Sequence, residues 1–117
     1  MALKEKLNQF PDNKFLLWTG AANVESKTTE EYATRTRLFF DWVKNEWDME
    51  GDNIFLWDFF ELETEGGLYL VEKYARNSQD SHPSEKFGAM VAPLLCQRIV
   101  DIIETNGHKT TLTGSYK

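Results

Sequence analysis

Two short apolar runs decide the fold of this chain, FLLW at residues 15–18 and IFLW at residues 54–57. Neither run alternates apolar with polar residues, so each predicts a strand that is buried on both faces, as in a parallel sheet. A polar residue follows each run directly, Thr19 in the first case and Asp58 in the second. The two segments therefore predict neighbouring strands of one sheet.

An amphipathic helix is predicted between the two strands. Thr28 and Glu31 have the spacing of a capping box, and the helix ends before Gly51. Its apolar stripe recurs at steps of three and four and contains Tyr32, Thr36, Phe39, Phe40, Val43 and Trp47. Strand, helix and strand make a right-handed βαβ unit, which brings Thr19 and Asp58 to the carboxyl edge where open α/β sheets bind ligands.

The remaining segments give the order α-β-α-β-loop-α. A short helix precedes the first strand, and a long irregular segment, in which one short helical piece can form around Leu70 to Ala75, covers residues 61–83. The last helix starts after Pro83 with Ser84 as its cap and stops at Asn106-Gly107. Its predicted apolar face contains Phe87, Val91, Leu94, Leu95, Ile99, Ile102 and Ile103. We therefore predict a single α/β domain over residues 1–107, followed by a polar tail at 108–117.

The charge balance excludes several classes of partner. The chain has 13 basic and 19 acidic residues, a net charge of -6, which disfavours binding to nucleic acid or to anionic membranes.

No apolar run has the roughly 20 residues that a bilayer-spanning helix needs. Residues 1–10 do not resemble a secretory signal. Cys96 is the only cysteine, which predicts a cytoplasmic protein without disulfides.

The segment Asn77-Ser84 is the best candidate for chemistry, because it combines acid, imidazole and hydroxyl groups. Histidine is the side chain best suited to proton transfer in proteins, and a carboxylate at Asp80 can accept from one ring nitrogen of His82 and leave the other free as a base. On this pattern alone, an exposed turn histidine beside a helix cap is the more common interpretation. Neither histidine has metal-ligand spacing to other residues, so we predict no metal and no cofactor.

Three segments, taken in order, resemble the carboxyl-terminal part of an SGNH (GDSL-type) hydrolase: KFLLWTG at 14–20, DNIFLWD at 52–58 and DSHPS at 80–84. The resemblance implies a three-layer, flavodoxin-like parallel sheet, of which this chain is an incomplete part. It also implies that His82 is the general base of a Ser-His-Asp triad and Asp80 its orienting acid. Thr19, Gly20 and Asp58 are then the candidate substrate-binding residues, although Asp58 can equally cap a loop.

The sequence departs from the family pattern at several points. The commoner position of the acid, three residues before the histidine, is here Gln79. The Gly-Asp-Ser nucleophile block and the glycine and asparagine blocks of the oxyanion hole are absent. Without a nucleophile no acyl-enzyme forms, so the chain alone is expected to be nearly inactive towards a small ester.

A sheet of only two strands is rarely stable alone, so the sequence predicts either a homo-oligomer or a missing amino-terminal half. Three functions follow from these observations. The first is an esterase-like hydrolase part, and the second is a non-catalytic module that associates through its sheet edge. The third is a flavodoxin-like binder of a small ligand. Trp18 and Trp57 are predicted to be core residues, and Cys96 is predicted to have no catalytic role.

Overall fold

Helices and short strands alternate along the first half of the chain, and a hairpin precedes the last helix. The computed structural model describes residues 2–117. Its elements, in order, are α1 (Ala2–Asn8), β1 (Phe15–Trp18), α2 (Glu30–Trp42), β2 (Ile54–Trp57), α3 (Phe59–Thr64), β3 (Ala75–Asn77), β4 (Asp80–Pro83) and α4 (Glu85–Thr105). A π-helical turn, Val43–Trp47, extends α2, and short 3-10 turns occupy Glu25–Lys27 and Glu72–Tyr74.

The predicted parallel strand pair is confirmed. β1 and β2 run parallel with Phe15 opposite Ile54 and Trp18 opposite Trp57. The outer edge of β2 is covered, since the amide of Asp58 donates to the carbonyl of Leu112 at 2.8 Å. Among residues 2–117, no strand pairs with the other edge of β1. The sheet is therefore closed on the β2 side and open on the β1 side.

Helices pack on both faces of this small sheet. On one face, a core cluster joins β2 to the end of α2 and contains Trp47, Ile54 and Leu56, with Leu7, Leu17, Val43 and Leu112 against it. On the other face, a cluster joins the sheet to α4 and contains Trp57, Phe87 and Val91, with Leu16, Phe59, Leu62, Tyr74 and Leu95 against it. Successive side chains of a strand point to opposite faces of the sheet, so each strand contributes residues to both clusters.

The predicted helix caps are confirmed for α4 and wrong by one residue for α2. The hydroxyl of Ser84 accepts from the amide of Phe87 at 3.1 Å. Asn106 has a left-handed conformation, with φ 59°, where α4 ends. In α2 the cap is Thr29, whose hydroxyl accepts from the amide of Tyr32, and Thr28 lies one residue outside. A Thr-Thr pair offers two equivalent caps, and the register of the buried helix face selects between them.

The prediction of an irregular segment over residues 61–83 was wrong at both ends of the segment, whereas its short helical piece corresponds to the 3-10 turn Glu72–Tyr74. The side chain of Asp58 caps α3, and β3 and β4 form an antiparallel hairpin, with Ala75 opposite Pro83. The strands of this hairpin have three and four residues, which is too short for a periodic pattern to be visible in sequence. The hairpin matters for function because β4 carries Asp80 and His82.

Several residues predicted as core are exposed. These are Trp18 on β1, Tyr32 and Phe39 on α2, and Ile99 and Ile103 on α4. Each lies on a surface that no other element within residues 2–117 covers. Trp57, by contrast, is buried as predicted.

The predicted polar tail at residues 108–117 instead packs against the domain. Thr110 is buried, and Leu112 joins the core cluster on the α2 face of the sheet. The indole of Trp57 donates to the carbonyl of Thr113 at 2.9 Å. The segment pairs with itself through a bridge between Thr110 and Tyr116. The sequence does not indicate this packing, because most side chains of the segment are polar and its backbone groups make most of the hydrogen bonds to the domain.

Candidate functional site

The structure brings two of the predicted binding residues together at the carboxyl ends of β1 and β2. The hydroxyl of Thr19 donates to Oδ1 of Asp58 at 2.6 Å, and it accepts from the amide of Phe60 at 3.1 Å. Both side chains are almost inaccessible, with 1% of Thr19 and 4% of Asp58 exposed. The parallel register of the strands places these two residues side by side, as the sequence predicted.

Lys44 neutralises the Asp58 carboxylate. Its ammonium lies 2.9 Å from Oδ2 of Asp58, and both side chains are largely buried. Oδ1 of Asp58 also accepts from the amide of Glu61 at 3.3 Å, and this hydrogen bond caps α3. Both oxygens of this carboxylate therefore have donors from the chain itself. Lys44 was not predicted as a site residue, since it lies on the polar side of the α2 pattern.

Gly20 lies against a second carboxyl group at this edge. Its φ of +127° suits only glycine, and an added Cβ would lie 3.0 Å from Oε1 of Glu63. Glu63 is fully buried, and Oε1 accepts from the amide of Ala22 at 3.0 Å. Burial raises the pKa of Glu63 to about 7, although the hydrogen bond from Ala22 opposes this rise. No hydrogen-bond donor within the described chain reaches Oε2.

Sequence reasoning missed Glu63 because it belongs to the segment expected to be irregular. The signal that could have found it is the cap formed by Asp58. A capped helix starting at Phe59 places Glu63 one turn from Phe59, on a face that contains apolar side chains. An acidic residue in that position predicts a buried carboxyl group.

The two predicted catalytic residues also meet. Nδ1 of His82 lies 2.6 Å from Oδ1 of Asp80, and the same oxygen accepts from the backbone amide of His82 at 2.9 Å. The backbone hydrogen bond and the imidazole hydrogen bond together lower the pKa of the Asp80 carboxyl. The His82 side chain is 75% exposed. The residues alternate along β4, so Asp80 and His82 project on one side and Ser81 on the other.

The hairpin lies against the segment that leaves the carboxyl end of β1. The hydroxyl of Ser81 accepts from the amide of Val24 at 3.2 Å, and the hydroxyl of Ser26 donates to the carbonyl of Ser78 at 2.5 Å. Among residues 2–117, no hydrogen bond or ion pair joins His82 to Thr19 or Asp58 directly. The site thus consists of two separate pairs, one buried and one exposed, connected through the segment that follows Gly20.

The cavities do not coincide with the predicted site. A groove of about 960 Å³ lies at the opposite, amino-terminal edge of the sheet, where Lys14, Asn53 and Ile54 line it. Near the carboxyl edge a cavity of about 20 Å³ is lined by residues that include Ala22 and Phe60. A space of this size holds little more than one water molecule. This cavity is therefore too small to hold an ester.

Neither a metal-binding cluster nor a membrane-spanning helix is found within residues 2–117. Residues 2–117 contain no cluster of three or more histidine, cysteine or acidic side chains suited to a metal ion. None of the helices in this range combines the length and the apolar character that crossing a bilayer requires. Comparisons of the chain with protein-family models, with curated proteins and with solved structures find no match.

Proposed function

We propose that this chain supplies the Asp–His element of a Ser-His-Asp triad in an SGNH-type ester hydrolase, with His82 as general base and Asp80 as its orienting acid. The observation that carries the proposal is the 2.6 Å contact between Nδ1 of His82 and Oδ1 of Asp80. A carboxylate at this nitrogen holds the proton there and leaves a lone pair on Nε2. The exposed ring can then accept a proton from a nucleophile that approaches from outside.

The backbone geometry supports the same assignment. Asp80 receives two hydrogen bonds from one residue, the amide and the ring of His82, so the imidazole has a fixed orientation relative to the strand. Both groups lie on a short strand that leads into the capped start of α4. An exposed turn histidine without a role would not need this second contact.

The nucleophile and the oxyanion donors are proposed to come from another polypeptide segment. The serine hydroxyls nearest to His82 already have backbone partners: Ser81 with Val24, and Ser84 with Phe87. The cavity near the carboxyl edge is too small for an ester. We therefore propose that the two strands are the last part of a larger, three-layer flavodoxin-like sheet. In that sheet, Thr19, Gly20 and Asp58 form the base of the substrate site.

The test is the slow turnover of p-nitrophenyl acetate by the pure chain. The wild type should hydrolyse this activated ester weakly, because an exposed imidazole with a free Nε2 can act without a serine. His82→Ala should remove most of this turnover, and Asp80→Asn should reduce it by loss of the favoured tautomer. His108→Ala is the matched control, since His108 is the other histidine of the chain and is also exposed.

Equal rates for the wild type and His82→Ala would remove the catalytic assignment. Nitrogen-15 spectra of the imidazole provide an independent readout. The proposal requires a protonated Nδ1 and an unprotonated Nε2 in the neutral ring of the wild type. It also requires the two tautomers to mix in Asp80→Asn.

A second function is favoured by the open edge of β1. The amides of Phe15 and Thr19 donate towards β2, so those of Leu16 and Trp18 point to the free edge. A non-catalytic module that associates through this edge would protect both amides from hydrogen exchange, increasingly so at higher protein concentration. Exchange of both amides at the rate of an exposed loop, at every concentration, would contradict this function.

A further inference from the structure

The outer face of α4 carries no charge over more than four turns. We define the α4 outer face as the exposed residues on one side of this helix: Ala89, Ala92, Pro93, Cys96, Ile99, Val100 and Ile103. The charged residues of the same span, Arg98 and Asp101, are both buried on the inner side. Ile103 is 66% exposed and Val100 50% exposed. Contiguous apolar surface of this kind marks an interaction site.

We propose that the α4 outer face pairs in antiparallel orientation with the α4 outer face of a second copy of this chain. The proposal is independent of the Asp–His assignment and of the free edge of β1. Three features of α4 support this pairing: the order of side-chain sizes along the helix, the charges at the two ends of the helix, and the position of Cys96.

Side-chain size changes along the α4 outer face. The first half carries the small residues Ala89 and Ala92, whereas the second half carries the branched residues Ile99, Val100 and Ile103. Antiparallel pairing lays the large half of one helix on the small half of the other, so that side chains fill the spaces opposite them. Parallel pairing would place large residues against large residues and leave a gap between the small ones.

The charges that flank the outer face favour the same orientation. Glu85 and Lys86 lie in the first turn of α4 and Glu104 in the last turn, and all three are exposed. Glu104 comes 18 residues after Lys86, which at 3.6 residues per turn makes about five full turns, so the two residues lie on the same side of the helix. In an antiparallel pair, each Lys86 approaches the Glu104 of the other copy. A parallel pair would instead keep each Lys86 and the Glu104 of the other copy at opposite ends, so this contact could not form.

Cys96 lies near the middle of the outer face, seven residues after Ala89 and seven before Ile103. In a symmetric antiparallel pair, the residue at the centre meets its own counterpart. The two Cys96 side chains should therefore be close enough for a disulfide to form between copies, although the chain has no second cysteine for an internal one.

Sedimentation velocity of the full chain at micromolar concentrations provides the first test. The wild type should form a dimer, and Val100→Glu or Ile103→Glu should raise its dissociation constant about a hundredfold, because each pair would bury two unpaired charges. Leu38→Glu, at a 62% exposed position of α2, is the matched control and should leave the dimer intact. A monomeric wild type, or a dimer that neither α4 variant weakens, would overturn the proposal.

Oxidation with diamide provides the second test. Two Cys96 thiols lose their protons and two electrons to form one disulfide, while diamide is reduced to its hydrazine. A covalent dimer should appear in the wild type and should be strongly reduced in Val100→Glu at equal concentration. Equal crosslinking in both would contradict the pairing. Co-sedimentation of a monomeric chain with phosphatidylcholine vesicles would also overturn it, and would assign the α4 outer face to lipid.

Discussion

The hydroxyl of Thr19 donates a hydrogen bond of 2.6 Å to the Asp58 carboxylate, across the carboxyl ends of two parallel strands. The same hydroxyl accepts from the amide of Phe60, so it links β1, the end of β2 and the first turn of α3. One small side chain thus fixes the relative position of three elements at the edge where the candidate site lies.

Replacement of Thr19 by valine should lower the free energy of unfolding by about 2 kcal/mol, because it leaves a buried amide and a carboxylate oxygen each without this partner. Urea denaturation measures the change. Thr34→Val on α2 is the matched control, because the hydroxyl of Thr34 makes no hydrogen bond within the described chain, and it should change stability by less than about 0.5 kcal/mol. Similar effects of the two substitutions would contradict the linking role of Thr19.

Replacement of Lys44 by methionine should destabilise the chain by about 3 kcal/mol, because the largely buried Asp58 carboxylate would lose the cation that pairs with it among residues 2–117. Lys73→Met provides the comparison, since the ion pair of Lys73 with Glu65 is exposed and should be worth less than about 1 kcal/mol. Thermal unfolding of both variants at neutral pH measures the difference. An equal loss would show that the environment of Asp58 is not protected from solvent.

Glu63 should make the chain less stable as the pH rises. The unfolded chain releases the proton of this carboxyl near its ordinary pKa of 4.5, whereas the folded chain retains it to about 7. Its contribution to the free energy of unfolding therefore falls between these two values and levels off above them, by at most about 3 kcal/mol. Glu63→Gln should remove this slope in urea titrations at a series of pH values. Glu72→Gln, at an exposed position, should keep it.

Asp101 should make the segment 108–117 sensitive to acid. It accepts from the amide and the hydroxyl of Thr110 at 2.7 and 2.6 Å, and from the amide of Lys109 at 3.0 Å. Burial raises the pKa of this carboxyl, but the hydrogen bonds from Thr105, Thr110 and Lys109 outweigh it and lower the pKa to about 2. The stability that Asp101 provides is therefore present above its ordinary pKa of 3.8 and is lost as the pH falls towards 2.

Asp101→Asn tests this role directly. The substitution should destabilise the chain by about 2 kcal/mol at neutral pH and speed the hydrogen exchange of the amides of Lys109 and Thr110. Asp12→Asn, at an exposed turn, is the control and should leave that exchange unchanged. Slow exchange at both amides in Asp101→Asn would show that other contacts hold the segment in place.

The strand pair, the long helices and both residue pairs of the candidate site were predictable from the sequence. Apolar runs without alternation identify buried strands, and the parallel register that follows brings Thr19 to Asp58. The spacing of Asp80 and His82 allows a direct contact within one short strand. These inferences depend on local pattern and on strand direction, both of which the residues themselves carry.

The rest depended on contacts between distant parts of the chain. Lys44 and Glu63 owe their burial to elements that come together only in the folded chain, and only Glu63 has a residue nearby in sequence, the capping Asp58, that gives a signal. The hairpin of β3 and β4 has too few residues for a periodic signal. The apolar residues Ile99 and Ile103 fit the core pattern of α4, but the sheet is too narrow to cover them. Periodicity reports which side chains are apolar, not how much surface is available to bury them.

The hydrogen bond from Asp58 to Leu112 determines at which edge of this small sheet another strand can pair. Because the last segment already occupies the flank of β2, an incoming strand can join only beside β1, and an assembly built on that contact stops at two partners. Deleting residues 108–117 would leave only the side chain of Arg98, bonded to the carbonyl of Leu56, against the flank of β2 in every copy. Sheets that can pair at both flanks add units without limit, so the shortened protein should form fibres where the full chain does not.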